Sequence, residues 1–246
     1  MRLHKTKGIV LKAVRYGETS LIVTVYTEAF GTQSYLINGV RQVSKKGTGK
    51  ANLFQPASIL DLVVYHNELR QLQRVREFKW SYLYKNILFD VRTNAVALFM
   101  IELLQKCLKQ PEQNAELFYF IEDAFIHLDE APEPVVANYP LFFALHLMVF
   151  MGFRMDDNYS GQGGILDMME GAFRSDRPEH PYFLEGEDAY ITSQLLKVMQ
   201  PVELQQLSMN HLTRRRLLHA YQDFYSLHIA DFGVMKSLPV LQEVLS

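Results

Sequence analysis

The chain has one cysteine, Cys107, in 246 residues. A single thiol excludes an intramolecular disulfide and any zinc site built from several cysteines. Cys107 sits in the apolar run from Ile101 to Leu108, where a buried, unreactive thiol is the ordinary reading. Long apolar runs are also missing. The basic opening, Met1 to Lys7, leads into a β-patterned segment interrupted by Lys12 and Arg15, so no signal peptide is expected. The richest apolar stretch, Tyr139 to Phe153, is too short to span a bilayer and carries His146. Internal repeats are absent. Gly161-Gln-Gly-Gly164 lacks the Lys-Ser/Thr of a phosphate-binding P-loop and does not make a dinucleotide fingerprint. These absences point to a soluble, cytoplasmic protein without a membrane partner, a cofactor or a metal.

What is present is an uneven division of charge. Residues 1–80 hold 13 Lys/Arg against 5 Asp/Glu, and the remaining residues hold 12 against 22. The net charge of −2 therefore conceals a basic module joined to an acidic one. A concentrated positive field attracts phosphate backbones in a salt-dependent way. Hydrophobic content of 48% is enough for real cores.

The first module has strand grammar. Gly8–Arg15, Thr19–Thr27, Gln33–Val40, Ser58–His66 and Leu69–Phe78 are short runs rich in β-branched and aromatic residues, separated by turn signals. Five antiparallel strands in so short a length suit a small closed barrel, because closure removes exposed edges. The helix or long loop between strands three and four, Arg41 to Pro56, favours the oligonucleotide/oligosaccharide-binding (OB) barrel over an SH3-like one.

From Trp80 onward the period is helical. Helices are expected over 93–110, from Asn114 to about Asp129, and over Tyr139–Gly152. Glu130-Ala-Pro-Glu-Pro134 reads as a linker. Residues 154–190 lose periodicity and read as an irregular insertion. Helices follow near Thr192–Met199, Asn210–Ala230 and Ser237–Val244. The expected fold is α+β with two domains, an OB barrel over 1–80 and a helical domain over 81–246.

Candidate binding residues lie in the basic module. Arg41, Lys45, Lys46 and Lys50 sit in a glycine-containing stretch able to follow a phosphate chain. Arg70, Arg74 and Arg76 share parity in strand five and would project from one face, beside Leu72. Arg15 ends the first strand. Tyr16, Tyr26 and Tyr35 are the candidates for base stacking. Catalytic signals are weak, and no nucleophile–base pair emerges. Asp156, Asp157 and His180 would suit a metal-dependent nuclease only if further carboxylates converged on them. Arg214-Arg-Arg216 opens a long helix where cations oppose the macrodipole, so acidic partners are expected, from the helical domain, an acidic protein segment or DNA.

Several stretches resemble the RecO family of bacterial recombination and repair mediators. In the barrel they are Gly8-Ile-Val-Leu11, Tyr16-Gly-Glu18, Thr27 with Gly31, Asn38-Gly-Val-Arg41 and Leu53-Phe-Gln-Pro56. Near the end they are Arg216-Leu-Leu-His-Ala-Tyr221, Tyr225-Ser-Leu-His-Ile229, Phe232-Gly233 and Lys236-Ser-Leu-Pro-Val-Leu241. The resemblance implies an OB barrel on a helical domain. It further implies binding of single- and double-stranded DNA, strand annealing, and work with RecR to place RecA on strands coated by single-strand-binding protein, whose acidic tail docks on the helical domain. It implies no covalent chemistry, and a cytoplasmic, nucleoid-associated protein. Many relatives carry four cysteines as a zinc site after the Met-Gly-Phe-like helix end. Here Met151-Gly-Phe153 is followed by no cysteine, so residues 154–190 are expected to lack zinc ligands. The rival reading is a protein-interaction adaptor whose basic barrel binds acidic protein tails rather than DNA.

Overall fold

The structure, a computed structural model, describes residues 2–41, 50–161 and 164–246. The chain divides into two compact units, Met1–Lys85 with Leu104–Ile126, and Asn86–Leu103 with His127–Ser246.

The first unit is built on five strands, β1 (Arg2–Tyr16), β2 (Ser20–Thr27), β3 (Gly31–Ile37), β4 (Ile59–His66) and β5 (Leu72–Trp80). They close in the order β1-β2-β3-β5-β4, with β4 returning to β1. The β3–β5 pair is parallel and the other pairs antiparallel. This is the connectivity of an OB barrel. Alternate residues fill its interior, Leu21, Val23 and Val25 from β2, Tyr35 and Ile37 from β3, and Leu60, Leu62 and Val64 from β4. A 3₁₀ turn, Lys50–Phe54, supplies Phe54 to that core, 4.8 Å from the Phe78 ring.

β1 is longer than its β-rich run suggested and carries a bulge. Val10 opposes Val25 and Lys12 opposes Thr24, so Leu11 is the extra residue. Before the bulge Val10 points into the barrel; after it Ala13 does. Ile9 and Leu11 are consequently buried on the barrel's outer side. The helical part of this unit, the last turn of α1 (Val91–Cys107) and most of α2 (Ala115–Glu130), is hydrogen-bonded to that side. Gln105 donates to the Leu11 carbonyl, and Thr32 donates to that of Leu108 at 3.1 Å. The Tyr26 hydroxyl donates to the Asn114 carbonyl at 3.3 Å. Asn114 also caps α2 through its side chain, which accepts from the Leu117 N–H. Gly31 has φ +60°, and a Cβ there would stand 2.2 Å from the Glu112 carbonyl oxygen, so only glycine fits.

The second unit contains α3 (Glu133–Phe150), α4 (Gly186–Leu196), α5 (His211–His228) and α6 (Ser237–Val244). α3 begins six residues before its expected start, inside the stretch read as a linker. Pro134 occupies the first turn, where no amide hydrogen is required, and Pro132 precedes it as the cap. Gly152, at φ +83°, follows the end of the helix. α3 is long and apolar enough to cross a membrane, but two thirds of it is buried in the protein, as in a core helix. The Tyr225 hydroxyl of α5 donates to its Ala144 carbonyl at 2.7 Å.

Residues 154–161 and 164–190 are more ordered than their composition suggested. β6 (Ile165–Asp167), β7 (Ala172–Arg174) and β8 (Phe183–Leu184) form a small sheet in the order β7-β6-β8. Asn158 guards the β7 edge, accepting from the Phe173 N–H at 2.8 Å and donating to its carbonyl at 2.9 Å. The buried Asp167 carboxylate accepts from the Met169 and Glu170 N–H groups and pairs with Arg174 and His180, each at 3.2 Å. Burial alone would favour its protonated form, but the backbone and arginine bonds outweigh this and hold its pKa below the usual value.

Candidate nucleic-acid interface

The outer face of β1, β2, β3 and β5 carries a continuous surface set by strand register. Val14 lies beside Ile22, Ile22 beside Leu36, and Leu36 beside Arg74. A parallel row runs Lys12, Thr24, Ser34, Leu72. Val14 and Leu72 are exposed, and Ile22 and Leu36 are half-buried. Tyr16, 54% exposed, stands at the end of β1 opposite Ser20. The face is thus aliphatic at its centre and cationic at its margins.

The β1–β2 turn is tied to the segment after β3. The Arg41 N–H donates to the Thr19 carbonyl at 3.0 Å, and its guanidinium donates to that of Gly17 at 3.1 Å. Ser20 donates to Asn38 at 3.2 Å. These bonds hold Arg41 beside the tip that carries Arg15 and Tyr16. Among the described residues, Lys12, Arg15, Arg41 and Arg74 form no ion pair. Their charge is not spent on the barrel's own carboxylates.

The other expected cations are placed differently. Arg70 lies ahead of β5, in the connection from Asn67, not on the strand. The buried Gln73 shapes that connection, donating to the carbonyls of Asn67 and Arg70 and accepting from the Asn67 N–H. A bulge in β5 makes Arg76 the extra residue between Val75 and Glu77, and its guanidinium lies 3.4 Å from the Glu77 carboxylate. Lys50 is exposed in the 3₁₀ turn. It borders an open depression of about 990 Å³ with Lys5, Lys7, Arg76 and Lys79. Glu28, Asp61 and Glu77 are interleaved there, and Lys79 pairs with Asp61 at 3.2 Å. Lys7 pairs with Glu122 at 2.8 Å, a bond that raises the lysine pKa. Lys45 and Lys46 lie outside the described residues.

Two of the three tyrosines cannot stack on a base. Tyr35 is fully buried in the barrel core, and Tyr26, 1% exposed, packs beside Phe118 with ring centres 6.1 Å apart. Burial also raises the Tyr26 pKa to about 12. Parity correctly put Tyr35 on the same face as Ile37, but that face is the interior. Tyr16 alone of the three presents its ring to solvent.

The nuclease arrangement is not assembled either. Asp156 is exposed and pairs with Arg154 at 3.2 Å, Asp157 is exposed, and His180 is bonded to Asp167. Among the described residues, no three His, Cys, Asp or Glu side chains converge as a metal would require. Cys107, at the end of α1, has a thiol pKa pushed up to about 12 by burial.

Lys12 and the aliphatic pair Ile22 and Leu36 were not singled out from the sequence. Their signal was alternation in β1, β2 and β3, which becomes informative only once the strand order joins these positions to Arg74.

Two family models match the chain, one for the N-terminal part of recombination protein O over residues 1–84 and one for its C-terminal part over residues 88–238. The DNA repair protein RecO of Phocaeicola vulgatus is 34% identical over 244 residues, covering 99% of this chain and 100% of that protein. That of Bacteroides fragilis is 34% identical over 245 residues, covering 98% and 99%. That of Christiangramia forsetii is 31% identical, covering 99% of each. With both halves of the family pattern present, in order and at nearly full length, the chain belongs to the RecO family.

Proposed function

We propose that this protein is a DNA-binding mediator of recombinational repair that acts without covalent chemistry. In this reading the barrel, residues 1–80, grips the phosphate backbone of single- and double-stranded DNA, and residues 81–246 dock proteins. The observation that carries the reading is the set of cations without ion-pair partners among the described residues, Lys12, Arg15, Arg41 and Arg74, around an exposed aliphatic sheet face. Phosphates would meet the margins, and unstacked bases or sugars would meet Val14, Leu36, Leu72 and Tyr16. Strand annealing needs only cations that offset phosphate repulsion while the bases stay free to pair. The proposed partners are RecR, the acidic tail of single-strand-binding protein and, through them, RecA. The proposed setting is the cytoplasm, on the nucleoid.

The test is fluorescence anisotropy with single- and double-stranded oligonucleotides over a salt series, followed by annealing of strands coated with single-strand-binding protein. Reversal of Arg15, Arg41 and Arg74 to Glu should abolish DNA retention and annealing. Salt-dependent affinity that survives the triple reversal would refute the assignment. Loss of protein partners with DNA binding intact would favour the adaptor reading instead.

A further inference from the structure

Among the nine asparagines of the chain, Asn38 alone precedes a glycine. The pair Asn38-Gly39 follows β3 and leads to Arg41, whose bonds to Thr19 and Gly17 place it at the β1–β2 tip. Both residues are exposed. Gly39 has φ +69°, and no atom stands within 4 Å of the place its Cβ would take. Its amide nitrogen is therefore unshielded by any side chain. The Gly39 N–H forms no hydrogen bond among the described residues.

The Asn38 carboxamide is polarised. Its oxygen accepts from the Ser20 hydroxyl at 3.2 Å, where negative charge would develop if a nucleophile added to the carbonyl carbon. Its NH₂ group has no partner among the described residues. Other asparagines differ. Asn67, Asn114, Asn158 and Asn210 accept backbone N–H groups with their side-chain oxygens, and each is followed by a residue that has a Cβ.

We propose that Asn38 is a site of spontaneous deamidation whose product weakens the cationic face of the barrel. The Gly39 amide nitrogen, having given its proton to hydroxide, attacks the side-chain carbonyl carbon of Asn38. The bond from that carbon to the side-chain nitrogen breaks, ammonia leaves with a proton from water, and a cyclic imide remains. Water then adds to one of the two imide carbonyls and opens the ring, giving aspartate or isoaspartate. No oxidant or enzyme is required. Either product sets a carboxylate beside Ser20, on the tip where Arg15 and Arg41 have no acidic partner among the described residues. Isoaspartate also lengthens the main chain by a methylene, just ahead of the Arg41 N–H that is tied to Thr19. The effect on DNA rests on the reading of this face as the DNA-binding one, and the proposal adds a chemical change that regulates it.

The experiment incubates the full chain at neutral and at alkaline pH. Peptide mapping by mass spectrometry reads conversion of amide to acid, an isoaspartyl methyltransferase reads isoaspartate, and oligothymidylate anisotropy over a salt series reads binding. Asn38 should convert ahead of the other asparagines, and faster at alkaline pH. Ser20→Ala should slow the conversion. Asn38→Asp, with its melting temperature unchanged, should lower the slope of log affinity against log salt by about 1, as the converted chain does. Asn38→Gln should keep through the incubation whatever affinity it starts with. Asn38 still intact when other asparagines have converted would overturn the proposal. Conversion of Ser20→Ala at the wild-type rate would overturn the hydroxyl's part in it. A converted chain that binds like the fresh one, while Arg41→Glu binds more weakly, would overturn the regulatory consequence. Conversion of Asn38 with oligothymidylate affinity untouched by both Asn38→Asp and Arg41→Glu would sustain the modification site and refute the barrel reading.

Discussion

Leu36 and Arg74 face one another across the parallel β3–β5 pair. That pairing closes the barrel, and it sets a cation beside the aliphatic line that runs back through Ile22 to Val14. The same contact that completes the fold completes the face.

Arg74 and Arg76 should therefore differ in their effect on DNA. Arg74 has no acidic partner among the described residues, whereas Arg76 lies against Glu77. Arg74→Ala should reduce the slope of log affinity against log salt by about 1, the signature of one lost phosphate contact. Arg76→Ala should change it by clearly less. Equal slopes for the two variants would remove the distinction.

The tyrosines should separate in the same way. Tyr16→Ala should weaken single-strand binding by about 1–3 kcal/mol with the melting temperature unchanged. Tyr35→Ala opens a cavity in the barrel core and should cost about 3–5 kcal/mol of stability. Tyr26→Phe removes one hydrogen bond to Asn114 and should cost about 1 kcal/mol. Denaturant titration beside oligonucleotide anisotropy reads both quantities.

Asp167 should make the small sheet sensitive to acid. Its folded pKa lies below the unfolded value, so its contribution is complete above about pH 4 and fades as pH falls towards the folded value. Limited proteolysis over residues 154–190 should accelerate in that window and not between pH 5 and 8. Asp167→Asn breaks the pairing with Arg174 and His180 and should cost about 2 kcal/mol at neutral pH. Unchanged protease resistance would show that packing alone holds the segment.

Gly31→Ala should be among the most damaging single-methyl changes. The new Cβ meets backbone, which cannot swing aside, in a left-handed conformation. A loss of at least about 2 kcal/mol in denaturant titration is expected, with no compensating gain in DNA affinity.

Much of the fold was legible because its long elements obey a single period. Alternation in β2 and β4 gave those strands to within a residue, and Ser237–Val244 has the expected limits. The errors arose where periodicity is not the controlling influence. Parity tells which residues share a face but not which face becomes the interior, hence Tyr26 and Tyr35. Two bulged residues, Leu11 and Arg76, shift parity in ways that only pairing reveals. Prolines 132 and 134 read as breakers because a helix's first turn, where they are tolerated, looks like a linker. The strands of the small sheet are two or three residues long, too short to show any period, and side chains of Asn158 and Asp167 brace them. Of the candidate cations that charge counting marked, Arg15, Arg41 and Arg74 form no ion pair among the described residues. Charge counting could not foresee that Arg76 would be opposed by a neighbour on its own strand.

The bulge at Leu11 has a wider consequence. Without the irregularity, strict alternation from Val10 would turn Lys12 and Val14 to the barrel axis. With it, one continuous strand changes allegiance midway. Gly8 to Leu11 are buried, and the half that follows can offer Lys12 and Val14 to the surroundings. Excision of Leu11 would leave Val10 and Ala13 facing in and Lys12 and Val14 facing out, so it should spare ligand capture and cost stability, through the lost buried side chain and the carbonyl that accepts from Gln105.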